Sequence, residues 1–230
     1  MTRVSPPAPA AGPVFVRLLA RVAGAGAGGD ELPLAATLAQ WIDWPRAVTL
    51  AGALDGAVTA TGEGLRFDAA QDDACAQARA QLREAILSDV LLSPPGPAST
   101  VADADFAPLR ARYVSHQRAI LAATGRLRGR LRDMLSALPA GARLAEVDAA
   151  MEQVLGPREH GLLSSVPDLL RLHFERLQPQ ASAPGASPAA GPWFDRFRLE
   201  MRELLLAELD VRFSPVEALL SALRTTDPTP

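Results

Sequence analysis

Between Phe106 and Leu138 the apolar residues fall into a long three-four alternation. Phe106, Leu109, Tyr113, His116, Ile120 and Ala123 follow it, and Leu127, Leu131, Met134 and Leu138 resume it after one extra step. Only an α-helix, with 3.6 residues per turn, gathers such positions onto one face; a strand would need alternation by two. A stripe of this length has to be covered by several other helices laid along it. It therefore commits the chain to an all-α fold, a multi-helix bundle. Gly125 and Gly129 interrupt the stripe one turn apart. Each costs a helix about 1 kcal/mol, and the expectation is an unbroken helix into which a neighbouring backbone comes close.

The same period recurs elsewhere. Val14, Leu18, Leu19 and Val22 follow Pro13, and Ala23 to Gly29 ends that helix. A short helix is expected from Pro33 to Ile42 and another from Pro45 through Val48, Leu50, Ala51 and Leu54. A long one runs from Asp68 to Leu92 with Cys75, Ala78, Leu82, Ile86 and Val90 inward, until Ser93 to Pro97 stops it. After a turn at Pro139 to Gly141 come Leu144, Val147, Met151, Val154 and Leu155, and Gly156-Pro157 reads as a helix stop. The next helix buries Leu162, Leu163, Val166, Leu169, Leu170, His173, Phe174 and Leu177, with Pro167 kinking or restarting it.

Trp193, Phe194, Phe197, Met201, Leu204, Leu205 and Leu209 form a further amphipathic helix. Ser214-Pro215-Val216-Glu217 has the pattern of a capping box that would open one more, carrying Leu219, Leu220 and Leu223. The predicted order is a tail at 1–12, a helical bundle domain at 13–177 and an Ala/Pro/Ser/Gly linker at 178–191. A tethered C-terminal helical hairpin at 192–224 and a tail at 225–230 follow.

All 23 basic residues are Arg; Lys and Asn are absent and Ile is scarce. A GC-rich genome explains this bias, so arginine enrichment alone does not signal phosphate recognition. The formal net charge of -3 supplies no global attraction to nucleic acid or anionic lipid. Cys75 is the single cysteine, which removes intramolecular disulfides and fits a reducing compartment, with the thiol buried and inert. Arg17 and Arg21 interrupt the first apolar run, unlike a signal peptide, and no stretch approaches the roughly 18 apolar residues of a membrane span. The expected location is cytoplasmic.

Candidate chemistry is thin. Gly24 to Gly29 resembles a phosphate-cradling loop, but a helical pattern precedes it and Asp30-Glu31 follows. His116, His160 and His173 contain no pair four residues apart, and Cys75 lies far from all of them. Glu159-His160 is an acid/base candidate whose side chains, about 100° apart on a helix, converge only with help from a third element. The expectation is a non-catalytic protein with no cofactor and no metal.

The strongest functional lead is a basic run. Arg110, Arg112, Arg118, Arg126, Arg128, Arg130 and Arg132 have no acid among them, and Arg126/Arg130 and Arg128/Arg132 repeat at one-turn spacing. Like charges so placed repel, and some compensating anion is required. Internal pairing with Glu200, Glu203, Glu208 and Asp210 is the plain solution. An acidic helical protein partner docked on Arg118, Arg126, Arg128, Arg130 and Arg132, aided by Trp193 and Phe197, is the leading functional one. On that reading, reversing Arg128 and Arg132 to Glu abolishes docking. The alternative is nucleic-acid binding through the Arg110–Arg132 face, weakened by the shortage of interleaved aromatics. Homo-oligomerisation stays open.

Several stretches together resemble a known family: Phe15-Val16-Arg17-Leu18-Leu19-Ala20-Arg21, Gln40-Trp41-Ile42-Asp43-Trp44, Leu127-Arg128-Gly129-Arg130-Leu131-Arg132, Arg158-Glu159-His160, His173-Phe174-Glu175-Arg176-Leu177 and Leu205-Leu206-Ala207-Glu208-Leu209-Asp210. Arg212-Phe213, Pro215-Val216-Glu217 and Ala222-Leu223-Arg224 extend the likeness. It is to an uncharacterised proteobacterial family, domain of unknown function 3348. The resemblance brings no catalytic residues. It implies a cytoplasmic accessory of a proton-driven envelope complex, since such proteins are encoded near a proton channel of the flagellar-stator or TolQ type and an OmpA-like peptidoglycan-binding protein.

Overall fold

The stripe that begins at Phe106 folds as a single helix of 32 residues, and the rest of the chain is arranged around it. The computed structural model describes residues 13–24, 42–62, 66–93, 104–178 and 191–226. Within them every regular element is helical: α1 (Val14–Ala23), α2 (Trp44–Asp55), α3 (Ala69–Leu87), α4 (Phe106–Ala137), α5 (Ala142–Ser164), α6 (Val166–Leu177) and α7 (Pro192–Thr226). The chain is all-α, a multi-helix fold. The expected helix at Pro33–Ile42, most of the Gly-rich stretch, both tails apart from Thr225 and Thr226, and most of the Pro/Ala linker lie outside the described residues.

Short polar side chains start α2, α3 and α4. Asp43 accepts from the Arg46 backbone N–H at 3.1 Å, and Asp105 from that of Ala107 at 2.9 Å. The Asp68 carboxylate takes two backbone N–H groups while Gln71 reaches back to the Asp68 N–H, a reciprocal capping box. Guanidinium groups close helix ends. Arg176 donates to the carbonyls of Val22 and Ala23 at the end of α1, and Arg143 to those of Ala53 and Leu54 at the end of α2. Carbonyls orphaned by a helix terminus are thus satisfied from another element. Gly141 is required in the α4–α5 turn, where an added Cβ would lie 2.7 Å from the Leu135 carbonyl oxygen.

Four expectations need correction. The C-terminal hairpin is one helix: α7 runs unbroken from Pro192 to Thr226 through Pro215. The expected capping box does not form, because the Ser214 hydroxyl donates to the Asp210 carbonyl at 3.1 Å and Glu217 pairs with Arg79. Proline inside a helix costs about 3 kcal/mol. Here Phe213, Val216, Leu219, Leu220 and Leu223 are buried on both sides of it, and one or two such side chains, at about 1.5–3 kcal/mol each, offset the penalty. The carbonyl that loses its donor is at Val211, an exposed position.

Gly156-Pro157 likewise lies inside α5 rather than ending it, and Pro157 and Gln153, the residue one turn before it, are both exposed. The helix after Asp68 stops at Leu87 instead of Leu92: Asp89 turns the chain by accepting from the Leu91 N–H at 3.0 Å, which leaves Val90 84% exposed. Finally, no neighbouring backbone approaches Gly125 or Gly129; a Cβ on either would meet nothing within 4 Å.

α7 is the centre of the fold, not an appendage. It packs against α1, α3, α4 and α6, while α4 also meets α3, α5 and α6 and α2 rests on α5. Phe197, Met201, Leu204, Leu205 and Phe213 of α7 close on Leu109, Tyr113, Ile120, Leu131 and Met134 of α4. At one end Phe174 sits edge-on to Trp193, Phe194 and Phe197, with centroids 5.2–6.0 Å apart, a geometry that adds to the burial energy of aromatic rings.

Candidate functional site

Because α4 crosses the whole bundle, its charged residues are sorted by helical phase into those that turn inward and those that do not. Arg128 meets Asp148 of α5 in a forked contact, Nε to Oδ2 at 2.9 Å and Nη2 to Oδ1 at 2.8 Å, and lies 3.5 Å from Glu152. Arg132 pairs with Glu152 and lies 3.5 Å from Asp148. The Arg128 and Asp148 side chains are only 15% and 13% exposed. Burial lowers the Arg128 pKa, but the Asp148 hydrogen bond and the nearby acids outweigh it and the net shift is upward. At Arg128 and Arg132 the basic run is therefore compensated internally, by acids of α5 and not of α7.

The acids of α7 serve other partners. Glu208 is fully buried and accepts from Tyr113 Oη at 3.1 Å, from Gln117 Nε2 at 3.0 and 3.2 Å, and from Arg212 Nε at 3.0 Å. Burial first, and then the Glu208 charge, push the Tyr113 hydroxyl well above its usual range, so it stays a neutral donor. Glu200 bonds His173 Nε2 at 2.6 Å and Arg196 Nε at 2.9 Å. Burial alone would raise the Glu200 carboxyl, but these two hydrogen bonds and the charges behind them hold it below its ordinary value. Asp210 pairs with Arg79 at 2.7 Å. Asp89, at the end of α3, binds His116 at 2.7 Å and Arg112 at 3.0 Å.

Arg118, Arg126 and Arg130 remain. All three are exposed and make no ion pair or side-chain hydrogen bond among the described residues. Arg110 is bound loosely, 3.9 Å from Asp168 with both side chains more than half exposed. Phe197 is completely buried and belongs to the core, while Trp193 is half-buried against Phe174 at the core's edge.

Two hollows follow α4. One, of about 310 Å³, is bounded by α4, α5, the start of α6 and α7. A smaller one of about 90 Å³ adjoins it and shares Leu121, His160 and Arg212. Glu159 and His160 both reach the smaller hollow, with the Glu159 carboxylate 3.6 Å from Arg212. A third hollow, of about 610 Å³ between α3 and α7, is crossed by the ion pairs of Arg79 with Glu217 and Arg224 with Asp72. Cys75 lies buried at its floor, and burial, followed by Asp72, pushes its thiol upward, away from nucleophilic character. No group of three or more metal-ligating side chains occurs among the described residues. No helix searched is long and apolar enough to cross a membrane.

The sequence could have identified the true partners of Arg128 and Arg132. Arg128 and Glu152, and Arg132 and Asp148, stand equally far on either side of Ala140, at the centre of the Pro139–Gly141 turn. Two helices folded back at such a turn bring those positions together. The family model described as "Protein of unknown function (DUF3348)" matches residues 1–225. No curated protein and no solved structure matches the chain.

Proposed function

The chain belongs to the DUF3348 family, and we propose that it works as a non-catalytic helical adaptor that receives an acidic helical partner along the outer face of α4. The observation that carries this reading is the set of exposed guanidinium groups of Arg118, Arg126 and Arg130, unpaired among the described residues, beside arginines that the fold has already neutralised. Between them Ala119, Ala122 and Gly125 are exposed as well, and their low relief lets a second helix lie close. A partner with carboxylates at one-turn spacing would supply the missing counter-charges, and such complementarity acts mainly on encounter rate and specificity. Arg128 and Arg132 are withdrawn from this surface, being committed to Asp148 and Glu152.

The family resemblance directs the choice of partner to the cytoplasmic segments of a proton-channel or OmpA-like envelope complex. The test is co-purification of the full chain with those proteins from detergent-solubilised membranes, comparing wild type with an R126E/R130E variant. Binding falls about tenfold or more in the variant while its thermal midpoint stays unchanged. Undiminished binding by the folded variant would overturn the assignment. Duplex DNA binding with a steep dependence on salt would replace it with a phosphate-backbone function.

A further inference from the structure

We propose that the hollow between α4, α5 and α7 is a binding site for a small dianion with a short apolar body, of the organic phosphate or dicarboxylate kind. This goes beyond the docking face, with which it shares Arg118 alone and from which it differs in ligand.

The case begins with the hollow's polar wall. Arg110, Gln117 and Arg118 come from α4, His160 and Ser164 from α5 and Arg212 from α7, and no carboxylate lines the space. Helical phase explains the convergence. Arg110 lies two turns before the adjacent Gln117 and Arg118 along one side of α4, while His160 and Ser164 are one turn apart on α5. Val114, Leu121 and Pro167 complete the lining with an apolar strip. A guanidinium fork matches the paired oxygens of carboxylate and phosphate, so three forks around one small space select for more than a single negative charge. A volume of about 310 Å³ sits at the lower limit for small-molecule sites. It admits a phosphate ester or a short dicarboxylate.

The surrounding charges show what is unsatisfied. Arg212 is engaged by Glu208 at 3.0 Å and by Glu159 at 3.6 Å, and so holds a fixed position at the floor with its charge shared. Glu208 has spent its oxygens on Tyr113, Gln117 and Arg212 and does not line the hollow. Asp168 stands 3.9 Å from Arg110 on the exposed side. Arg118 has no counter-ion among the described residues. Two exposed arginines at the rim and one anchored arginine beneath form a clamp in which the ligand supplies the missing negative charge.

The test is a titration of the full chain with inorganic phosphate and, separately, with succinate at constant ionic strength held by chloride. It is read from the arginine side-chain N–H resonances and by calorimetry. The expected result is saturable binding that shifts Arg118 and Arg110 and weakens about tenfold or more in R110A/R118A. Both positions are exposed, so the variant keeps the fold. Preference for phosphate assigns a phosphate ester, and preference for succinate a dicarboxylate. R126E/R130E, which removes the docking face, retains the binding, so failure of that face and failure of the site are separable. Shifts that match the chloride control, or that persist unchanged in R110A/R118A, would overturn the proposal.

Discussion

Arg126 and Arg128 are two residues apart on the same helix and have opposite fates. Arg128 is tucked into the α4–α5 seam with its charge answered by Asp148 and Glu152, whereas Arg126 points into solvent without an ion-pair partner among the described residues. A helix turns about 100° per residue, so a basic run that reads as continuous in sequence is divided in space between structural cement and open surface. Breaking a buried ion pair of this kind costs far more stability than removing an exposed charge does. That difference identifies which arginines are available for anything beyond holding the fold.

The sharpest contrast comes from the most deeply buried charge. Glu208→Ala strips Arg212 of its main counter-ion and leaves Tyr113 and Gln117 without their acceptor. Breaking a buried pair this way costs about 3–5 kcal/mol, and a large drop in chemical-denaturation midpoint is expected. Next comes the seam itself. Arg128→Ala costs about 1–3 kcal/mol, between the values for buried and surface pairs, while Arg126→Ala changes stability by less than about 0.5 kcal/mol. Equal effects from the two substitutions would erase the distinction between seam and surface. The smallest effect has the opposite sign. Gly125→Ala and Gly129→Ala each stabilise by about 0.5–1 kcal/mol, because a Cβ meets nothing within 4 Å at either site. Destabilisation in thermal melts of the isolated chain would mean that something does approach these glycines.

The class of fold was legible because burial is written in helical period, and Asp68 marked a true helix start. Proline was the misleading signal. Pro157 and Pro215 read as boundaries by their local chemistry, yet both sit inside helices because the hydrophobic face continues past them and tertiary burial outweighs a local penalty. The candidate site was half legible. Arg118, Arg126 and Arg130 do face outward, but Phe197 proved to be core and Trp193 is half-buried at its edge. Amphipathic periodicity says which residues share a face and not what that face meets. The hollow escaped notice for a related reason: Arg110, His160 and Arg212 sit on three helices, far apart in sequence.

The contact of α1 with α6 and α7 constrains how the molecule comes to be. Ala23 is separated by 153 residues from Arg176, whose guanidinium caps α1, and α7 lies further along still. At about 5–20 residues per second, a ribosome would deliver that partner roughly 8–30 s after α1 emerges. The α4–α5 hairpin, whose halves are neighbours in sequence, closes without waiting. Phe15 and Val22 stay uncovered until α6 and α7 have emerged, and α7 then also covers α3 and α4. The nascent chain thus closes a local hairpin early and its longest-range contacts late, and in the interval α1 is a natural target for a chaperone.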